Sequence, residues 1–278
     1  MTTATLARPD TVDGLARPKR LGFGHALSSE WTKLRTVRST AWTLASMVVV
    51  SVGLTALVNM LAAPELAESV ATGEPFEPVG AFVMWGGPFG MIAAFVLGVL
   101  VASAEYSSGM IRATLAATPR RWQVLGAKSL VLAGVLVVLG TLGSLGMYLA
   151  SNFFLDREGI GLALTDDGVL RAIIGGGLFM AFIALFGLAL GLLMRHTAAA
   201  VTVGLALIFV VGNLVGLIPG AVGEWLTKLM PGNAGSAVAS VDSFSPNLLD
   251  PWVGFGVFAA EVLLLLAIAG WFFARRDA

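Results

Sequence analysis

The sequence predicts an all-α, polytopic membrane protein with six transmembrane helices, an amphipathic interfacial helix ahead of them, and both termini in the cytoplasm. Three observations carry this expectation. First, 57% of the 278 residues are hydrophobic and only 12% are charged, against about 25% charged in an average soluble domain. A water-soluble enzyme of this size needs a more charged surface, so that class is excluded. Second, the apolar residues are gathered into long runs free of Asp, Glu, Lys, Arg and His: 39–64, 78–104, 129–155, 172–194 and 197–223, with 251–274 interrupted only by Glu261. A helix needs about 20 apolar residues to cross the hydrocarbon core, and spans are expected over about 41–63, 80–103, 127–150, 172–194, 198–219 and 252–274. Third, the charges are sorted. With the N-terminus inside, 14 of the 17 Lys and Arg residues fall in cytoplasmic segments, and only Arg157, Arg171 and Lys228 fall outside. The positive-inside rule therefore favours N-in, C-in.

Residues 1–20 are polar and basic, without a short apolar core, and read as a disordered cytoplasmic tail rather than a cleaved signal peptide. Residues 21–38 read as the interfacial helix. Phe23, Leu27, Trp31 and Leu34 recur at helical spacing and share one face, with His25, Ser28, Ser29, Thr32 and Thr36 opposite. Lys33 and Arg35 flank the stripe and can snorkel toward headgroups, and Arg38 marks the step into the first span. Glu30 breaks the apolar face; either it pairs with a base such as Lys33, or the helix packs against protein there, the plain alternative being a solvated helix end.

Between spans two and three, Met110, Ile111 and Leu115 make a short apolar face after Ser107 and Ser108, and Pro119 should stop that helix. Arg112, Arg120 and Arg121 add positive charge. The plain reading is a loop whose arginines only set topology; the sharper one is a docking helix for a cytosolic partner.

Two patterns bear on packing and transport. Gly86-x-x-x-Gly90, Gly187-x-x-x-Gly191 and Gly212-x-x-x-Gly216-x-x-x-Gly220 let helix backbones approach closely, within or between subunits. Glu261, ten residues into the last span, sits roughly 15 Å along the helix, near the bilayer midplane. An intramembrane carboxylate is a candidate substrate or proton site. It can equally be a carboxyl that locks the last span to a neighbour, through Asn59 or Asn213. Those two asparagines carry the same ambiguity.

Several chemistries are unsupported. There is no cysteine, and His25 and His196 are too few and too far apart for a metal site. No catalytic constellation or phosphate-binding loop is present, because Gly126-Ala127-Lys128-Ser129 misses the required Gly before Lys. The chain is expected to bind no cofactor itself and no nucleic acid, and to act as a transport subunit rather than an enzyme.

Two segments resemble a known family. The run Glu30-Trp31-Thr32-Lys33-Leu34-Arg35-Thr36-Val37-Arg38-Ser39-Thr40 resembles the N-terminal helix of ABC-2-type transporter permeases, particularly those of high-GC Gram-positive bacteria. Glu105-Tyr106-Ser107-Ser108-Gly109-Met110-Ile111-Arg112, followed by Pro119-Arg120-Arg121, is similar to that family's loop between spans two and three. With the six-span layout, the resemblance covers nearly the whole chain after residue 20. It implies the permease domain over 39–274, in the bacterial plasma membrane, paired with itself or a related chain. It also implies two cytosolic ABC ATPase subunits that hold ATP and Mg, and an exporter that moves substrate through a dimer cavity. Glu105, Met110, Ile111, Arg112, Leu115, Arg120 and Arg121 would then form the ATPase-coupling segment. The short stretches 221–230 and 233–241 would be re-entrant helices. A proton-coupled secondary exporter using Glu261 and a non-transporting anchor subunit are the alternatives. Substrate identity has no signature, and the loops at 65–77 and 156–171 carry no motif of the family.

Overall fold

The computed structural model describes residues 22–73, 78–111, 114, 120–242 and 249–275. No strand occurs among them, and six helices are long and apolar enough to cross a membrane: Arg38–Thr72, Val79–Ser107, Arg121–Glu158, Val169–Met194, Thr197–Val215 and Pro251–Arg275. This is the architecture of a multi-pass integral membrane protein, and the six are called spans 1 to 6. The parts of the expected tails at 1–20 and 276–278 lie outside the described residues.

A leading helix, Phe23–Thr36, precedes span 1 and is separated from it by a single extended residue, Val37 (φ −79°, ψ 112°). The Val37 carbonyl accepts from the amides of Thr40 and Ala41, so the elbow residue also starts the span. Span 1 is longer than its uncharged run. It continues through Pro64 and past Glu65 and Glu68 to Thr72, and stops where Gly73 takes a left-handed conformation (φ 73°). Proline costs an interior helix one hydrogen bond, but buried Ala63 and Leu66 on either side hold this turn against the protein.

Span 2 is broken near its start. A single turn, Val79–Phe82, is followed by a bend and then by a continuous helix, Gly87–Ser107. Buried span 1 side chains meet the backbone groups freed at the bend. Thr55 Oγ1 accepts from the Gly86 amide at 2.9 Å, and Asn59 Nδ2 donates to the Phe82 carbonyl at 3.0 Å. Inside a hydrocarbon layer such groups have no water to turn to, so the break requires these partners.

Span 4 is the axis of the bundle, with 78% of its most apolar stretch buried, whereas spans 1 and 5 bury only 22%. Glycines admit it. A Cβ at Gly98 of span 2 would lie 1.9 Å from the Ala184 carbonyl oxygen of span 4, and one at Gly187 would lie 2.3 Å from that of Phe95. The Gly187/Gly191 and Gly86/Gly90 pairs are therefore contacts between helices of one chain. Gly212 and Gly216 would meet only ordinary neighbours.

Span 4 ends at Arg195, whose left-handed backbone (φ 52°) directs its amide to the Gly191 carbonyl. His196 then caps span 5 by accepting the Ala199 amide at Nδ1, 3.3 Å. That is a structural use for one of the two histidines. Span 5 contains a π-helical segment, Ala206–Val211. After it come two short helices, Ala221–Leu229 and Pro231–Ser236, the second continued by a 3-10 turn at Ala237–Ala239. The first coincides with the stretch expected at 221–230; the second starts at Pro231, two residues ahead of the expected 233–241, because proline fits the first turn of a helix. Arg171 of span 4 holds the second one, donating to the carbonyls of Ala237 (2.6 Å) and Val241 (3.1 Å).

Candidate functional site

The fold has two ends: a terminal end, where the leading helix and the close of span 6 lie, and an opposite end with the short helices. At the terminal end two acidic and two basic side chains from three helices form one network. Lys33 Nζ of the leading helix donates to Glu30 Oε1 and to Glu105 Oε1 of span 2, both at 2.7 Å. Lys128 Nζ of span 3 donates to Glu30 Oε2 and to the same Glu105 Oε1, both at 2.8 Å. Glu30, Glu105 and Lys128 are each at most 5% exposed. The four charges sum to zero, which is the condition for burying them at all.

Local sequence explains how each member reaches the network. Glu30 and Lys33 are three residues apart on one helical face, as spacing alone allows, and both alternatives foreseen for Glu30 hold: it pairs with Lys33 and the helix packs against protein there. The protein-facing side of that helix carries Ala26 and Glu30, while Phe23 and Trp31 of the apolar stripe stay exposed and Leu27 and Leu34 are half-buried. Glu105 lies two residues before the end of span 2, and Lys128 two turns into span 3. The segment joining these spans is therefore pinned at both ends, and both ends are pinned to the leading helix. Burial alone would lower the Lys33 pKa, but its hydrogen bonds to Glu105 and Glu30 outweigh that and raise it from its ordinary 10.5.

Lys128 is the member that the sequence reading missed as a site. The signal was present: a lysine followed by the apolar run Leu130 to Leu132, inside the expected span 127–150, needs a partner. Glu105 Oε2, also buried, has no hydrogen-bond partner among the described residues. A cavity of about 170 Å³ adjoins the network, lined by Glu30, Lys33, Glu105 and Lys128 on one side and by Leu97, Val101 and Met110 on the other.

Further polar contacts stitch the same end. The Arg195 guanidinium stacks over the Tyr106 ring at 5.0 Å, and Thr197 Oγ1 donates to Ser103 Oγ at 2.8 Å. Arg121 donates to the Phe273 carbonyl at 2.7 Å, meeting one of the carbonyls that the end of span 6 leaves unpaired. Arg121 thus ties span 3 to span 6, where sequence had grouped it with Arg120 as surface charge; Arg120 itself is exposed. Met110 and Ile111 do not share a face: Met110 is 44% exposed and Ile111 is 5% exposed, packed in the main core. Adjacent helical residues diverge by about 100°, so the two cannot project together. Arg112 and Leu115 lie outside the described residues. Arg35 and Arg38 are exposed.

The candidates within the spans are not brought together. Asn59 is fully buried and spent on the bend of span 2, while Asn213 is exposed and donates to the Phe209 carbonyl of its own helix. Asn213 lines a cavity of about 230 Å³ at the opposite end, with Met84, Met91, Asn233 and Ser236. Glu261 is half-buried and its Oε2 has no hydrogen-bond partner among the described residues. The lock from Glu261 to Asn59 or Asn213 is therefore not formed; the two side-chain amides donate to backbone carbonyls instead. No group of three or more His, Cys, Asp or Glu able to hold a metal occurs among the described residues. Searches with protein-family models and against curated proteins find no match to this chain.

Proposed function

We propose that this chain is the membrane-spanning permease subunit of an ATP-driven, ABC-2-type exporter, with its terminal end in the cytoplasm. Two such chains, or one and a related chain, would enclose the substrate path in the plasma membrane, and separate ATPase subunits would bind beneath them. The observation that carries this reading is the buried network Glu30–Lys33–Glu105–Lys128. It joins the leading helix to both ends of the segment between spans 2 and 3, the segment whose sequence resembles the family's coupling loop.

A motor below the membrane must move the helices, not merely a loop. With the network in place, a push on the exposed face near Met110 is delivered to span 2, span 3 and the leading helix together. ATP-driven closure of the ATPase pair would bias the bundle between two arrangements only through its different fit to each. The leading helix, with its exposed Phe23 and Trp31, would lie along the inner headgroup layer.

Purification of the chain from native membranes in mild detergent tests the proposal. A co-purifying soluble subunit with a P-loop is expected, and Arg112→Glu should abolish its recovery while leaving insertion intact. Recovery of no ATPase under several gentle conditions would contradict it. The absence of native cysteine makes the orientation testable too. A single Cys at position 32 should react with an impermeant reagent only from inside, and one at position 222 only from outside.

The carboxylate oxygen of Glu261 that has no partner among the described residues favours a second reading, a proton-coupled exporter. Transport that depends on a proton gradient and is lost in Glu261→Gln, with no ATPase bound, would establish that alternative.

A further inference from the structure

Beneath the outer face of the leading helix, a groove of about 440 Å³ runs between that helix, span 1 and span 3. Its walls are apolar: Trp31 and Leu34 from the leading helix, Leu44 from span 1, and Val138 from span 3. Its floor is Gly134. Unlike Gly98 or Gly187, whose missing side chains admit a neighbouring backbone, Gly134 has nothing within 4 Å of where a Cβ would stand. This glycine therefore leaves open space where span 3 would otherwise present a side chain.

One charged group stands in the lining, Arg35. Arg35 and nearby Arg38 are exposed, and neither forms an ion pair with a carboxylate among the described residues. The nearest acidic residue in sequence, Glu30, is occupied by Lys33 and Lys128 on the protein-facing side of the helix. The surface thus combines an apolar trough that follows span 3 from Gly134 to Leu139 with a positive charge that has no carboxylate partner among the described residues.

We propose that this groove is a binding site for one anionic phospholipid, its acyl chain on Gly134 and its phosphate on Arg35, with Arg38 adding to the positive field. Charge complementarity selects the occupant: an apolar segment alone would leave the guanidinium unanswered, and a soluble anion would leave the trough empty. The inference rests only on the spans being embedded in lipid, and it holds with or without a partner ATPase. A bound chain would wedge the leading helix against spans 1 and 3, with Leu34 standing between this groove and the cavity beside the charge network.

Native mass spectrometry of the intact chain, released from bilayer discs containing equal phosphatidylglycerol and phosphatidylcholine, tests this directly. One tightly held phosphatidylglycerol is expected, and excess soluble glycerol phosphate should not displace it. Arg35→Gln should reduce the preference for phosphatidylglycerol by roughly fivefold, the worth of one basic residue at a membrane surface. Gly134→Phe, which fills open space, should remove retention of both lipids. Equal retention of the two lipids by the unaltered chain would overturn the proposal. So would phosphatidylglycerol retention unchanged in a folded Gly134→Phe, or displacement by glycerol phosphate. Arg35 is exposed, so its variant remains informative even if the bulkier one fails to fold.

Discussion

The two ends of the bundle solve the same problem with different chemistry. At the opposite end, side chains reach for backbone: Asn59 and Thr55 meet the bend in span 2, and Arg171 meets the carbonyls of Ala237 and Val241. These contacts close breaks in helices, and each serves one place. At the terminal end the central contacts run from side chain to side chain, between helices that are otherwise regular, and four charges depend on one another. Replacing one member there leaves the other three out of balance. A structure that only had to stand up would not need the second kind. Apolar residues of similar size are often as stable as a buried ion pair, or more so. On the proposed function, the difference marks the terminal end as the part that would move as one unit.

Substitutions separate the two ends, and the largest effect is expected in the network. Lys128→Met leaves Glu30 and Glu105 to share Lys33 alone, one buried negative charge in excess, and should cost about 3–5 kcal/mol, read from chemical denaturation in detergent. Making all four positions apolar (Glu30→Leu, Lys33→Met, Glu105→Leu, Lys128→Met) should recover most of that loss, since no unpaired charge remains. If the fourfold variant is as unstable as Lys128→Met, the charges are needed for more than balance. Arg171→Leu comes next, at about 2–3 kcal/mol for a charged donor and two carbonyls. Its effect should be local, with faster amide exchange at 231–241 and none at the terminal end. Asn59→Leu should cost about 1–3 kcal/mol by orphaning the Phe82 carbonyl, and should loosen the bend without altering the charge network.

The smallest effect concerns pH. Because the folded pKa of Lys33 lies above its ordinary 10.5, the stability it contributes is complete below pH 10.5 and is lost as pH rises through the folded value. Melting temperature should fall over that alkaline range, and Lys33→Met should flatten the fall. An unchanged slope in Lys33→Met would assign the loss to other groups.

How much of this was legible beforehand depended on distance along the chain. The six spans were legible because hydrocarbon demands long uncharged runs, and the Glu30–Lys33 pair because spacing of three sets two residues on one helical face. Span ends were less so: charge-free runs mark what suits lipid, whereas span 1 runs on to Gly73 because backbone hydrogen bonding continues where Glu65 and Glu68 face outward. The break in span 2 has a local signature in Gly86-Gly87-Pro88, with Pro in the first turn of the restarted helix, whereas the buried Asn59 and Thr55 that satisfy it are visible only in the fold. Glu105 with Lys128, 23 residues apart on different helices, needed the fold. Their pairing is visible in sequence only as two charges, each standing beside an apolar run without a local partner.

The most direct test of the account sets one exposed residue against another. Met110→Glu alters the terminal end beside the charge network, and Leu226→Glu alters the opposite end; the two side chains are 44% and 38% exposed, so both substitutions are borne by the fold. Each variant would be purified from native membranes beside the unaltered chain, and the co-purifying P-loop subunit quantified. The account predicts that Leu226→Glu retains the subunit at the unaltered level and that Met110→Glu loses most of it. Equal recovery with both variants would contradict it, as would loss confined to Leu226→Glu.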